Sequence, residues 1–369
     1  MKLGEQVHSK NVKQVLRSYP ASIGSKNWPE IMRLADKDLD AALELAARGE
    51  VNKNVAARNA VARRMRLARA PLFVRLNDAE KEIRTLFSNE ANAMYEFVLR
   101  HGDSIGKIPR INMRVRLMGM VVKKELKRII YALIKDSAKM GFKNAGEALL
   151  PIFKDNRESF KGAEENLYTD RLLFEAKLSV SLNATLASRD PRAKTSTAKW
   201  SKKQSQVIRN IAKKNLAGQT FSERVVDLSS RAEADLRRII ASKISQGESP
   251  FSIAKTVKKY VAPYNADVDA QVGPGLYKNP FSNAMRIART ETNRAYAKAS
   301  AEFAKGKTWL KGLMVTLSPA HEDEDVCDDW AGKILSPEEF EDVVPFHPHC
   351  MCYGTYIFKD DVLAGGEEE

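Results

Sequence analysis

A chain of 369 residues with 61 lysines and arginines against 47 acidic residues carries a formal net charge of +14, and with 29% charged side chains and a mean hydropathy of −0.41 it reads as a soluble protein. No apolar run is long enough to span a bilayer, and the opening MKLGEQVHSKNVKQ lacks the apolar segment of a secretory signal, so a cytoplasmic start is expected. Three cysteines, an odd number gathered at positions 327–352, argue against a disulfide framework and for reduced thiols, inert or metal-bound, while the positive balance favours polyanions such as nucleic acid.

Residues 1–187 read as helical. Ala57, Val61, Met65 and Ala68 recur at helical spacing, and Arg58, Arg63, Arg66 and Arg69 are expected on the opposite, solvated face, where they could touch DNA. A second long helix is expected after Pro109, with Arg110, Arg114, Arg116, Lys123 and Lys124 leading into Leu126, Ile129, Ile130, Leu133 and Ile134. Gly141 and Gly146 are expected to punctuate it and Pro151 to open the next piece. Positions 188–205, SRDPRAKTSTAKWSKKQS, have no apolar period and read as a linker or a basic arm that includes Lys202 and Lys203.

Residues 206–265 hold two helical corners. In NLAGQTFSERVVDL, Gly218 is a stop and Thr220 with Glu223 forms a capping box; in KISQGESPFSIAKTV, Gly247 is the stop, Ser249 the cap and Pro250 the first helical residue. Such corners suit a helical hairpin or a DNA-reading helix-turn-helix. A Pro/Gly-rich loop follows, and Ser282 is expected to cap a helix running through NAMRIARTETNRAYAKASAEFAKG to Gly306. Ala284, Ala288, Glu291, Ala295 and Ala299 fall on one stripe of it, so Glu291 is a carboxylate on a packed face and needs a partner. Arg294 is the local candidate; Arg289 is placed to reach another segment. TWLKGLMVTL (308–317) and CYGTYIF (352–358) read as strands around an acidic loop, and 359–369 as a flexible acidic tail.

The span SPAHEDEDVCDDWAGKILSPEEFEDVVPFHPHCMCY, from Ser318 to Tyr353, concentrates the soft donors His321, Cys327, His347, His349, Cys350 and Cys352. On an extended chain residues two apart point the same way, so Cys350 and Cys352 can converge on one ion, as can His347 and His349, with Cys327 returning from the other arm. Cys327, His347, Cys350 and Cys352 form the leading tetrahedral zinc set, with His321 and His349 as alternative ligands. The competing reading is a corner of small buried thiols and hydrogen-bonded histidines. The acidic residues around Cys327 are expected to raise its pKa and disfavour cysteine catalysis.

The helix phrase IARTETNRAYAKA, the Trp-bearing strand TWLKG, a D-x-C corner with a downstream G-K, and FHPHCMC before a strand together resemble the C-terminal domain of phage head morphogenesis proteins, the minor head proteins related to phage Mu protein F. The resemblance spans roughly residues 200–358 and places Arg289, Thr290, Glu291, Asp325, Cys327, Gly332, His347, Pro348, Cys350 and Cys352 at the family's signature positions. Trp330 stands where many relatives carry a second cysteine. The resemblance implies a low-copy minor capsid protein that binds the portal protein inside the procapsid, lies beside packaged double-stranded DNA, assists head assembly and DNA packaging, and enters the host with the DNA. A scaffold or major capsid protein is a further implied partner, and the implied locations are the capsid interior near the portal and, during assembly, the host cytoplasm.

The expectation is therefore a mainly α fold, an elongated helical N-terminal region (1–187) followed by a linker (188–205), a helical hairpin region (206–265), a small α+β domain (266–358) and the tail. No catalytic step is assigned. The competing classes are a metal-dependent nuclease centred on His347, His349 and Glu291, and a DNA-binding protein using the two helical corners.

Overall fold

The computed structural model describes residues 53–155, 205–206, 208–210, 213, 218–263, 271–273, 276–277, 279–307, 309–318, 321 and 324–359. The expectations for residues 1–52, for the linker with Lys202 and Lys203, and for the tail beyond Lys359 lie outside these residues. The fold is mainly α with a small α+β unit at the C-terminal end.

Three helices form the frame: α1 (Lys53–Ala68), α2 (Ala70–His101) and α3 (Ile108–Asp155). Leu72, Leu76, Ala79, Ile83, Phe87, Ala91, Met94 and Val98 line one face of α2 at spacings of three and four, and are buried with Ile111, Val115, Met118, Val122 and Leu126 of α3. At 1.5 Å per residue the 48 residues of α3 extend roughly 72 Å, which makes this region elongated. The helix does not break where the sequence suggested, since it continues through Gly141, Gly146 and Pro151. Gly141 is a contact point instead. A Cβ there would stand 2.7 Å from the Tyr296 backbone oxygen and 2.8 Å from Ala299 Cβ, so the missing side chain lets another helix approach.

The corners form as their caps dictate. Thr220 and Glu223 make a reciprocal capping box at the start of α4 (Phe221–Ser245), and Ser249 caps α5 (Pro250–Val261) by accepting from Ser252 N at 3.2 Å. Gly218 and Gly247 adopt φ of 80° and 74°, the left-handed region that glycine enters without strain. A two-stranded antiparallel ribbon, β1 (Gln271–Gly273) and β2 (Leu276–Tyr277), precedes α6 (Pro280–Ala304). The cap of α6 is Asn279 rather than Ser282: its Oδ1 accepts from Phe281 N at 2.7 Å and Ser282 N at 3.2 Å, and Pro280 opens the first turn.

Helix α6 is buried along nearly its whole length, because it packs against α2, α3, α4 and the sheet. After Gly306 the chain forms β3 (Leu310–Thr316), β4 (Ile334–Leu335), α7 (Pro337–Val343) and β5 (Tyr353–Phe358). The sheet is antiparallel in the order β4-β3-β5, with Leu310 opposite Phe358 and Thr316 opposite Tyr353. Among the described residues, buried side chains from Val61 to Phe358 join in one core cluster. No helix among the described residues is long and apolar enough to cross a membrane.

Candidate metal centre

The chain brings Cys327, Cys350 and Cys352 into one buried cluster beneath Leu317 and Phe346, between the acidic loop after β3 and the entry to β5. Cys327 Sγ and Cys350 Sγ are 3.7 Å apart, and His347 Nε2 lies 3.2 Å from Cys327 Sγ. Zinc–sulfur bonds of about 2.3 Å put the thiolates of a tetrahedral site about 3.8 Å apart. Two donor groups share Cys327: Cys327, His347 and Cys350, and His321, Cys327 and Cys352, with the ligand atoms of each within 4.8 Å of one another. This His/Cys cluster is able to hold a metal ion.

Each donor is set by its local chain. Asp325 Oδ1 accepts from Cys327 N at 2.7 Å and Asp328 Oδ2 from Asp325 N at 2.8 Å, so the D-x-C corner is a pair of side-chain-capped turns. Gly332, at φ 79°, turns the loop back, and its N–H donates to Val315 O at 2.9 Å. His347 Nδ1 stands 2.7 Å from Pro348 O, and Nε2 faces Cys327 and, at 3.0 Å, Asp325 Oδ2. His321 Nε2 is held 2.9 Å from Asp328 Oδ2, a bond that raises the imidazole pKa. Trp330 stacks at 5.5 Å between ring centroids on Phe346, which packs against the thiols.

Electrostatics single out one thiol. The hydrogen bond from Cys352 holds Cys350 below the ordinary thiol range against its burial, whereas giving that bond pushes Cys352 up. Cys327 is pushed up chiefly by burial and next by the charge of Cys350, so the acidic loop is not the main cause expected from the sequence. Cys350 is only 2% exposed, which suits a ligand better than a nucleophile meeting a substrate.

His349 does not join the cluster. Its φ of 67° breaks the alternation that would have aligned it with His347, and its Nε2 lies 3.2 Å from the Tyr277 hydroxyl. Glu291 is fully buried and takes both expected and unexpected partners, Arg294 at 2.5 Å and Arg224 from α4. Arg289 reaches Glu80 at 4.0 Å. His347, His349 and Glu291 take different partners: Cys327 and Asp325 for the first, Tyr277 for the second and the two arginines for the third.

The helix and the cluster are stitched together by polar bonds. Thr290 Oγ1 accepts from His349 N at 3.2 Å, and Asn293 Nδ2 donates to Cys352 O at 2.9 Å. Arg69 completes the stitch and corrects an expectation. It is 1% exposed, off the solvated face, and donates to Asn293 Oδ1 at 3.1 Å and Met351 O at 2.9 Å while lying 4.4 Å from the centre of the Tyr353 ring. The spacing Val61, Met65, Arg69, Leu72, Leu76 places it on the apolar stripe, a signal present in the sequence. Arg66 is exposed and Arg63 half-buried, while the side chain of Arg58 lies outside the described residues. No family model, curated protein or solved structure matches the chain.

Proposed function

We propose that this chain is a phage minor head protein that associates with the portal inside the procapsid, assists head assembly and DNA packaging, and uses its C-terminal His/Cys cluster as a zinc-held structural clasp. The observation that carries the reading is how the signature residues are employed. Thr290, Glu291, Asp325, Gly332, His347 and Pro348 bind one another, neighbouring helices or the turns of the clasp. These are bonds that fix shape. The order of motifs in the sequence supports the family, and the net charge of +14 suits a neighbour of packaged DNA.

Cys327, Cys350, Cys352 and His347 fit zinc by donor type, and the 3.7 Å separation of two sulfurs fits a shared ion. Three thiolates and a neutral imidazole around a divalent ion leave one net negative charge. Arg69 is a buried guanidinium that makes no ion pair among the described residues, and thiolates at Cys350 and Cys352 would act on it favourably against its burial. It answers that charge balance. Zinc there would supply cross-linking between the acidic loop and β5.

The test is composition of purified particles. Procapsids assembled with this chain and its cognate portal protein, isolated on a gradient and quantified by mass spectrometry, are expected to contain it at low copy and to lose it when the portal is omitted. Its absence from particles and from portal complexes would contradict the proposal.

A further inference from the structure

Arg286 is a half-buried arginine on α6 whose guanidinium makes no hydrogen bond or ion pair among the described residues, and its Nε is buried without an acceptor. Its surroundings are rich in donors. Thr290, one turn on, donates to Arg286 O at 2.7 Å and accepts from His349 N, and His349 holds the Tyr277 hydroxyl, so Tyr277 and His349 stand beside the face of α6 that carries Arg286. Arg289 follows three residues later on the same side and reaches its nearest carboxylate, Glu80, only at 4.0 Å.

From α4, Arg224 approaches through its bond to Glu291, and its Nε is also buried without an acceptor, as is His349 Nδ1. The carboxylates nearby are already engaged: Glu291 by Arg224 and Arg294, Asp227 by Arg231 at 2.8 Å, and Glu80 by Arg84 at 2.6 Å. Crowding of like charge is felt, since burial and the repulsion of Arg294 and Arg286 bring Arg224 down to about 10. Several guanidinium donors gathered from two helices, with a shortage of free carboxylates among the described residues, describe a place for an external anion.

We propose that this face, with Arg286 at its centre and Arg224 and Arg289 beside it, binds a phosphate group. Guanidinium forks match phosphate oxygens geometrically, and the tyrosine hydroxyl and the imidazole offer further polar contact at the edge. Two sources carry that chemistry, the phosphodiester backbone of a nucleic acid and free inorganic phosphate. The site lies outside the thiol cluster and does not depend on the head-protein reading, which particle composition tests separately.

Arg286→Gln is the informative variant, because a side chain without a protein partner can be replaced at little cost to folding. One arm measures binding of a fluorescent 20-nucleotide DNA duplex by anisotropy across a salt series; the other measures the shift in melting midpoint produced by inorganic phosphate. The full-length chain is expected to respond in at least one arm. Arg286→Gln is expected to weaken duplex binding about five- to tenfold and to lower the salt slope by about one if the backbone is the ligand, or to abolish the phosphate-induced shift if the free ion is. Arg286→Lys is expected to recover part of either effect, since it keeps the charge and loses the fork. No response of the unaltered chain in either arm, or responses unchanged in Arg286→Gln, would overturn the site. So would a large fall in the melting midpoint of Arg286→Gln without phosphate, which would mark the arginine as a structural group.

Discussion

Glu291 and Arg69 are buried charges settled in different ways. Glu291 lies between two guanidinium groups, so Glu291→Gln would leave Arg224 and Arg294 facing each other with their common anion gone. An expected loss of about 3–5 kcal/mol follows, visible as a lower urea midpoint at unchanged slope. Arg69 rests on a side-chain oxygen, a backbone carbonyl and aromatic faces. Arg69→Met preserves bulk but strands those acceptors, and a loss of about 2–3 kcal/mol is expected by the same measurement. The sequence showed Glu291 on a packed stripe and Arg294 one turn away, because both are matters of helical period. Arg224 is 67 residues distant and belongs to another helix, so no local pattern announced it.

At the scale of elements, local signals were legible and crossings were not. The Thr220 and Ser249 caps and the two C-terminal strands are written in consecutive residues. The same holds for α7, whose Ser336–Glu339 capping box stands in the sequence although the helix was not foreseen. Gly141 shows the limit: a helical glycine reads as a break until the partner that touches it is known. Gly141→Ala is expected to cost about 1–3 kcal/mol, because the new methyl meets the Tyr296 backbone, which cannot swing aside. A differential scan of that variant beside Gly146→Ala checks it.

Helix α7 is clipped to α6 by Glu341, which accepts from Lys298 at 2.8 Å and Lys305 at 2.5 Å. Burial alone would raise this carboxyl, but the two lysines outweigh it and hold the pKa at about 2, below its ordinary value of 4.5. The folded state therefore binds the proton less readily than the unfolded chain. The stability this clip contributes is present above about pH 4.5 and disappears as pH falls through about 2. Glu341→Gln is expected to flatten the acid limb of the stability profile in that window; an unchanged limb would place the acid sensitivity elsewhere.

For the whole molecule, one interior links the long helices to the C-terminal sheet, and the His/Cys cluster sits where α1, α6 and β5 meet. Sequence alone set out the leading donors Cys327, His347, Cys350 and Cys352 with His321 and His349 as alternatives, but not which alternative the backbone brings near. His349 was lost through a single left-handed backbone angle, and Arg69 entered through tertiary packing. The measurement that bears most directly on the clasp is the melting midpoint of the purified chain before chelation, after chelation and after zinc is restored. A site filled at a thousandfold excess over its Kd contributes about 4 kcal/mol, so chelation is predicted to lower the midpoint by on the order of 10 °C and zinc to restore it, with Cys350→Ser insensitive to both. A midpoint that chelation leaves unchanged would contradict the zinc-held clasp.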